Sequence, residues 1–148
     1  ELVLAATSSG VKQPIFVKMP NEIIFEESDT LINLALKMNI RGFIFSNLIK
    51  NRNNQTFNRE EIIKFKDIKG NFSGKPTAEN SKNIIKHTRT RFGKEVAIIG
   101  CGGIFSAKDA WERFSLGADL VQLITGMIYE GPQLAGEINK GIVQLKKF

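Results

Sequence analysis

Four short apolar runs, each followed by a segment with helical periodicity, constrain the fold of this chain more than any other feature. The runs are rich in β-branched and aromatic residues and cover Pro14–Lys18, Gly42–Ser46, Glu95–Gly100 and Ala118–Ile124. Near-continuous apolar runs of this length are typical of parallel strands buried on both faces of a sheet. Strands that alternate with helices predict a parallel α/β fold, either a barrel or an open doubly wound sheet.

The segments between and after these runs repeat apolar residues with the 3.6-residue period of a helix. Three apolar faces are predicted: Leu31, Leu34, Ala35 and Met38; Ala107, Ala110, Trp111 and Phe114; and Leu134, Ala135, Ile138, Ile142 and Leu145. Ser106 followed by Asp109 resembles a capping box, and Pro132 suits the first turn of a helix. Gly93 and Gly117 follow the expected ends of two helices. Four βα units amount to half of a complete barrel of about 250 residues.

Composition and charge exclude several classes of protein. Of 148 residues, 42% are hydrophobic and 24% charged, and no window holds 18 consecutive apolar residues, so no segment reads as a transmembrane helix. The net charge of +6 comes from scattered basic residues without a nucleic-acid-binding motif, so we predict no nucleic-acid partner. One cysteine, Cys101, excludes an internal disulfide, and with a single histidine we predict no metal site.

The first nine residues of the sequence look like the end of a helix and not like a signal peptide, and Glu1 takes the place of an initiator methionine. We therefore expect residues 1–148 to be a fragment of a longer domain. Three single-residue expectations follow from local context. His87 lies in a polar stretch and is expected to be solvated, Trp111 is expected in the core, and Glu22, with Glu26 and Glu27, precedes or begins a helix where carboxylates are favourable.

Two glycine-containing turns after the last two predicted strands are the leading candidates for chemistry. Gly100–Ser106 contains a Gly-Gly pair, and the next βα unit places Thr125 and Gly126 after its strand. Backbone N–H groups can approach an anion at such turns, and the loops after strands 7 and 8 are the usual phosphate site of (β/α)8 barrels. The alternative is that both are tight turns without a ligand, in which Thr125 only caps a short helix.

Three other segments end where the mouth of a barrel would lie. Lys18 ends the first strand and either faces the barrel, where it would offset an anionic charge, or is solvated. Ser46 and Asn47 end the second strand, where neutral hydrogen-bonding groups suit a planar polar ring, although Asn is also a common turn former. The long connection from Asn47 to Thr77 contains the Gly70–Pro76 turn, which approaches a ligand or is a surface turn.

Together these motifs resemble the second half of the class 2 dihydroorotate dehydrogenases. Ile98–Pro132 is the most specific block, with a Gly-Gly turn, Ser-x-x-Asp-Ala, Gly-Ala, Leu-Val-Gln-Leu and Gly-Pro in the family's order. Ser73–Pro76 (SGKP) and Phe16–Lys18 (FVK) precede it at the family's spacings. The resemblance covers nearly the whole chain. It implies a (β/α)8 (TIM) barrel that binds FMN, of which this chain would supply about the last four βα units.

Members of that family oxidise dihydroorotate to orotate in pyrimidine biosynthesis, with FMN as the hydride acceptor and a membrane quinone as the final oxidant. The resemblance therefore implies dihydroorotate, orotate and quinone as partners. It also implies peripheral membrane contact through an N-terminal segment that this chain does not contain, at the cytoplasmic face of the cell membrane or, in a eukaryote, at the mitochondrial inner membrane. The family's general-base serine is expected upstream, so we predict an inactive isolated fragment.

Carried over position by position, the resemblance implies a cofactor site and a substrate side. The cofactor residues are Lys18, Ser46, Gly70, Asn71, Gly102, Gly103, Ile124 and Thr125, and the substrate residues are Asn47 and Leu48. Lys18 would contact the flavin ring, while Gly102, Gly103 and Thr125 would bind the FMN phosphate.

Several positions depart from the family's pattern. Thr-Asn-Thr-Thr reads Ser46–Ile49 here, so Leu48 lacks a hydroxyl that helps to hold orotate. Asn71 takes the place of a glycine and Ile124 takes the place of a tyrosine. Met19–Glu22 replaces the family's Ala-Pro-Asp segment. The residues expected to bind the FMN phosphate therefore follow the family's pattern, whereas the residues expected to bind the substrate depart from it. Two alternatives stay open: a flavin or sugar-phosphate barrel enzyme with another substrate, and a non-catalytic half-barrel that binds phosphate ligands or pairs with another half.

Overall fold

The computed structural model describes residues 10, 13–55 and 57–146, which are built around a four-stranded parallel sheet. The strands are β1 (Phe16–Met19), β2 (Gly42–Phe45), β3 (Ala97–Cys101) and β4 (Leu120–Gln122). The helices are α1 (Phe25–Lys37), α2 (Arg59–Lys64), α3 (Ala78–Phe92), α4 (Ala107–Ser115), α5 (Thr125–Glu130) and α6 (Leu134–Leu145). Short 3-10 turns cover Lys75–Thr77 and Gly93–Glu95. The helix remnant expected over residues 1–9 lies outside the described residues.

The order of the strands separates the two predicted fold classes. Neighbours in the sheet follow the chain order β1-β2-β3-β4, and every pair is parallel. An open doubly wound sheet reverses its strand order at a switch point, whereas a (β/α)8 barrel keeps strands in sequence. The described chain is therefore a partial (β/α)8 barrel, and the predicted fold class is confirmed.

The register of the sheet separates a face packed by helices from an open face. Val17, Phe43 and Ile98 share one row, and Met19, Phe45 and Gly100 another. These rows pack with residues from α1 and α3 in the larger core cluster, which contains Ile32, Ala35, Ile84 and Ile85 among its buried members. The row between them, which includes Lys18, points to the opposite face because side chains alternate along a strand. A smaller cluster joins Ile104 and α4 to α6.

The predicted boundary signals of the helices are mostly confirmed. Ser106 Oγ accepts a hydrogen bond from the Asp109 amide at 3.2 Å, and the Asp109 carboxylate accepts from the Phe105 amide at 3.0 Å. Gly93 ends α3 with φ of 55°, and Gly117, with φ of 112°, follows Leu116, the C-cap residue of α4. Pro132 is a small correction, since it lies in a turn and α6 begins only at Leu134.

The predicted apolar face of α1 was wrong at two positions. Leu31 and Leu34 are 43% and 54% exposed, while Ser28, Ile32 and Ala35 are the buried residues. The helix is therefore rotated relative to the predicted face. Ser28 is small enough to be buried with Ile32, so the most apolar stripe of the sequence is not the one that contacts the sheet.

His87 is ordered by contacts with α1 and is not freely solvated as expected. Its ring stacks on Phe25 at 4.3 Å between centroids, and its Nε2 lies 2.8 Å from Asp29 Oδ1.

Trp111 is only half-buried, and the buried residues of α4 are Ala110 and Arg113. No helix in the described ranges has the length and apolar character needed to cross a membrane.

The long connection after β2 has structure that the sequence did not predict. It contains α2, whose N-terminus is capped by the Asn58 side chain through the Glu60 amide. An isolated antiparallel bridge between Ile49 and Phe72 joins its two ends. The connection therefore folds back on itself and returns the Ser73–Pro76 turn to the end of the sheet.

Candidate functional site

The carboxyl ends of the four strands meet at one cleft. Its lining residues come from the ends of all the strands and from the returning turn of the long connection: Lys18, Ser46, Asn47, Leu48, Ser73, Gly74, Thr77, Cys101, Gly102, Gly103, Ile104, Leu123, Ile124, Thr125 and Gly126. Eight of the ten residues singled out from the sequence line this cleft. The two others, Gly70 and Asn71, do not. This is the edge at which (β/α)8 barrels place their active sites.

The Gly-Gly turn after β3 is packed against the start of α3. Gly102 and Gly103 have φ angles of 109° and 66°, which L side chains rarely adopt. A Cβ on Gly103 would lie 3.0 Å from Ala78 Cα, and one on Gly102 would lie 3.2 Å from Thr77 Cβ and overlap its hydroxyl. Glycine is therefore required here for packing, and the same turn exposes backbone to the cleft.

The turn after β4 contacts the returning turn of the long connection. Thr125 Oγ1 lies 2.9 Å from Ser73 Oγ, and a Cβ on Gly74 would lie 3.0 Å from Thr125 Cγ2. The first hydrogen bond of α5 runs from the Ile128 amide to the Ile124 carbonyl, so the amide of Thr125 has no acceptor within the helix. Hydroxyl and backbone groups from two loops therefore meet beside the Gly-Gly turn.

A buried arginine that the sequence did not single out lies behind the Gly-Gly turn. Arg113 is 1% exposed, and its Nη2 donates to the Gly102 carbonyl at 3.0 Å. Burial lowers the pKa of Arg113, an effect opposed by Glu112, Asp109 and other carboxylates, and a guanidinium remains charged in proteins. Its Nε has no hydrogen-bond partner in the described structure. The only sequence signal was its position on the same face of α4 as Ala110.

Lys18 faces the open side of the sheet. It pairs with Ile44 in the register, and that row continues through Ile99 to Leu120. It lines the cleft together with Cys101. Burial raises the pKa of the Cys101 thiol, although the charge of Lys18 acts in the opposite direction. Lys18 is exposed on this side of the sheet, so a contact between its ammonium and a ligand stays a prediction.

The segment after β2 is held by hydrogen bonds within its own loop and by hydrogen bonds that its amides donate to Glu22. Asn47 donates its amide to the Met19 carbonyl, and its Oδ1 accepts from the Leu48 amide at 2.9 Å. The Glu22 carboxylate accepts from the Lys50 amide at 2.8 Å. Burial would raise the pKa of Glu22, but hydrogen bonds from this loop hold it below its usual value. Glu22 therefore anchors the loop, in addition to lying near the start of α1.

Gly70 and Asn71 do not line the cleft. Gly70 is exposed with φ of 127°, and its carbonyl accepts from Arg52 Nη2 at 3.2 Å. Asn71 lines an adjoining groove, which shares Ser73, Gly74 and Thr125 with the cleft. Their role in binding a cofactor stays a prediction.

The cleft combines one ammonium, four hydroxyls and glycine backbone with an apolar wall. The hydroxyls belong to Ser46, Ser73, Thr77 and Thr125, and the wall includes Ile104 and Leu123. Apolar walls with a few converging polar groups are typical of sites for small organic ligands. A cation and exposed backbone amides are suited to an anionic group such as a phosphate.

Comparisons with known proteins agree with this geometry. The profile of the dihydroorotate dehydrogenase family matches residues 1–145. The dihydroorotate dehydrogenase (quinone) of Bartonella tribocorum is 38% identical over 139 residues, which are 92% of this chain and 36% of that protein. The corresponding protein of Corynebacterium diphtheriae is 32% identical over 140 residues, which are 95% of this chain and 38% of that protein.

Solved structures of DHODH from Eimeria tenella are similar in fold to this chain. The ligand-free crystal structure superposes with a TM-score of 0.75 at 28% identity, over 88% of this chain and 35% of that chain. The complex with ferulenol gives a TM-score of 0.76, over 88% of this chain and 33% of that chain. The chain thus spans little more than a third of the length of the curated relatives it matches. Because sequence and fold agree over nearly all of its length, this chain belongs to the dihydroorotate dehydrogenase family.

Proposed function

We propose that this chain forms part of an FMN-binding (β/α)8 barrel that oxidises dihydroorotate to orotate. The observation that carries the proposal is the cleft at the carboxyl ends of the four strands, where Lys18, Ser46, Gly102, Gly103 and Thr125 meet. The family implies a flavin cofactor. Four further βα units would close the sheet at its β1 and β4 edges, and residues 1–148 would then be the C-terminal half of the barrel.

The residues of the cleft fit the two ends of FMN. The backbone of Gly102 and Gly103 and the amide and hydroxyl of Thr125 would bind the phosphate. Arg113 adds a fixed positive charge behind this turn, because its guanidinium is held by the Gly102 carbonyl. Lys18 would lie at the ring, where a cation stabilises negative charge. When bound, FMN supplies the acceptor for the hydride that dihydroorotate loses.

Asn47 and Leu48 would lie on the substrate side, at the exposed end of β2. The general base would be a serine from the part of the barrel that precedes this chain. The names of the curated relatives support a quinone as the electron acceptor. A quinone acceptor in turn favours a peripheral location at a membrane, on the cytoplasmic face of the cell membrane or on the mitochondrial inner membrane, and a role in pyrimidine biosynthesis.

One observation favours a second candidate, a flavin-dependent barrel enzyme with another substrate. Leu48 is 38% exposed and lines the cleft with an apolar side chain, and the side-chain Oδ1 of Asn47 already accepts a hydrogen bond from the Leu48 amide. The position therefore offers less polar recognition than a substrate with two ring carbonyls and a carboxylate would use.

The test is to purify the full-length protein that carries this chain and measure bound flavin and turnover together. The proposal predicts stoichiometric FMN and reduction of a soluble quinone analogue that depends on dihydroorotate. Bound FMN with no dihydroorotate oxidation would instead support the second candidate. Protein that is folded by circular dichroism but binds no flavin would refute both. A Lys37→Ala variant removes an exposed lysine at the far end of α1. It should bind flavin and turn over like the wild-type protein.

A further inference from the structure

A buried polar cluster lies beneath the cleft and joins the ends of two strands to the start of α3. Asn21 follows β1, Ser46 follows β2 and Thr77 immediately precedes α3, and each is at most 3% exposed. Asn21 Nδ2 lies 2.6 Å from Ser46 Oγ and 3.1 Å from the Thr77 carbonyl oxygen. Buried polar groups are costly unless they are hydrogen-bonded, so these contacts constrain the direction of each hydrogen bond.

The Thr77 carbonyl oxygen determines which way the Asn21 amide faces. A carbonyl oxygen only accepts hydrogen bonds, so the side-chain atom of Asn21 that faces it must be the nitrogen. On the other side, Asn80 Nδ2 lies 3.4 Å from Asn21 Oδ1, which agrees with the same orientation. One amide hydrogen of Asn21 therefore points to Thr77 and the other to Ser46 Oγ.

This orientation fixes the Ser46 hydroxyl as an acceptor on its inner side. A hydroxyl has a single hydrogen, and that hydrogen cannot point towards the N–H that Asn21 already donates. Within the described part of the chain, Asn21 is the hydrogen-bond partner of Ser46 Oγ, and Ser46 lines the cleft. The Ser46 hydrogen is therefore left to point into the cleft, towards a ligand.

We infer that Asn21 is a positioning residue that makes Ser46 a hydrogen-bond donor to the ligand, so that this position selects an acceptor atom of a bound heterocyclic ring. The inference rests on the proposed function, in which that ring is the flavin of FMN. An ionised aspartate at position 21 would have the opposite effect. It would accept the Ser46 hydrogen and turn an oxygen lone pair towards the ring acceptor.

The experiment is a double-mutant cycle in the full-length protein, with FMN affinity of the apoprotein measured by quenching of flavin fluorescence. The four proteins are wild type, Asn21→Asp, Ser46→Ala and the double variant. In the wild-type background Asn21→Asp should weaken FMN binding about ten-fold, the cost of a mismatched buried hydrogen bond. In the Ser46→Ala background the hydroxyl is absent, so the same change should have an effect at least about three-fold smaller. Asn33→Asp, on the exposed face of α1, controls for the added charge.

The outcomes are distinguishable. Equal losses of affinity in both backgrounds would overturn the inference, because an effect on folding or charge alone would not depend on Ser46. If Asn21→Asp does not fold, the same cycle with Asn21→Leu decides, since leucine has a similar volume and no donor. Wild-type protein that binds no FMN would refute the proposed function itself, and this inference with it. Ser46→Thr keeps the hydroxyl, so its affinity for FMN should stay close to that of wild type.

Discussion

Replacing Gly103 with alanine tests whether the Gly-Gly turn is rigidly packed. With φ of 66°, the residue lies in the left-handed region, where an L side chain costs about 1–2 kcal/mol. The new Cβ would also lie 3.0 Å from Ala78 Cα and 3.3 Å from Ala78 N, atoms at the start of α3 that cannot rotate away. Overpacking of this kind typically costs about 1–3 kcal/mol. The free energy of unfolding should therefore fall by about 2–5 kcal/mol.

The matched control is Gly136→Ala, the same chemical change in a different environment. Gly136 lies inside α6, is exposed, and has no atom within 4 Å of a built Cβ. Because alanine is the better helix former, this change should stabilise the protein by about 0.5–1 kcal/mol. The assay is urea unfolding of the full-length protein, with the midpoints compared at a constant m-value. A loss below about 1 kcal/mol for Gly103→Ala would refute the packing argument, because strain alone should exceed it.

Three further predictions concern the cleft and its support. Lys18→Ala should weaken FMN binding about ten-fold, as expected for the loss of a hydrogen bond to a charged group; unchanged affinity by fluorescence titration would count against its proposed place at the ring. If the substrate is dihydroorotate, Leu48→Thr should lower its KM, and steady-state kinetics showing no change would favour the second candidate function. Burial raises the pKa of Asp119, but the Ile98 amide and the charges of Lys94 and Arg89 lower it further, so the net shift is downward. The stability that Asp119 contributes is therefore present above its unfolded-state pKa and lost as the pH falls through the folded-state value. Urea unfolding should show a deficit for Asp119→Asn at neutral pH that disappears in acid, and a deficit independent of pH would contradict this assignment.

The parts of the fold that were predictable are those that depend on local chemistry. Apolar runs located the strands, because the parallel strands of α/β folds are rich in apolar side chains. Ser106 with Asp109, and the glycines after α3 and α4, located helix ends, because these signals act within a few residues. The choice between a barrel and a doubly wound sheet needed the strand order, which depends on contacts between distant segments.

The residues missed from sequence are polar groups whose role depends on distant partners. Asn21 was not singled out from the sequence, yet it contacts Ser46 25 positions away and Thr77 56 positions away. Arg113 was not singled out from the sequence, yet it is buried against the Gly102 carbonyl. His87 reads as solvated because its partner Asp29 lies 58 positions earlier in the chain. The apolar periodicity of a single segment cannot predict such contacts between residues that are distant in sequence.

The glycines of the cleft also limit what can be argued from motifs alone. Gly102 and Gly103 are required by the approach of Thr77 and Ala78, so the fold needs them whether or not a phosphate binds. Lys18 is different, because it is exposed and no packing contact requires an ammonium at that point of β1. The functional proposal therefore depends most on the side chains that the fold does not need. A loss of FMN binding on removing the Lys18 ammonium, without loss of stability, would support the proposal more strongly than any result at the glycine turn.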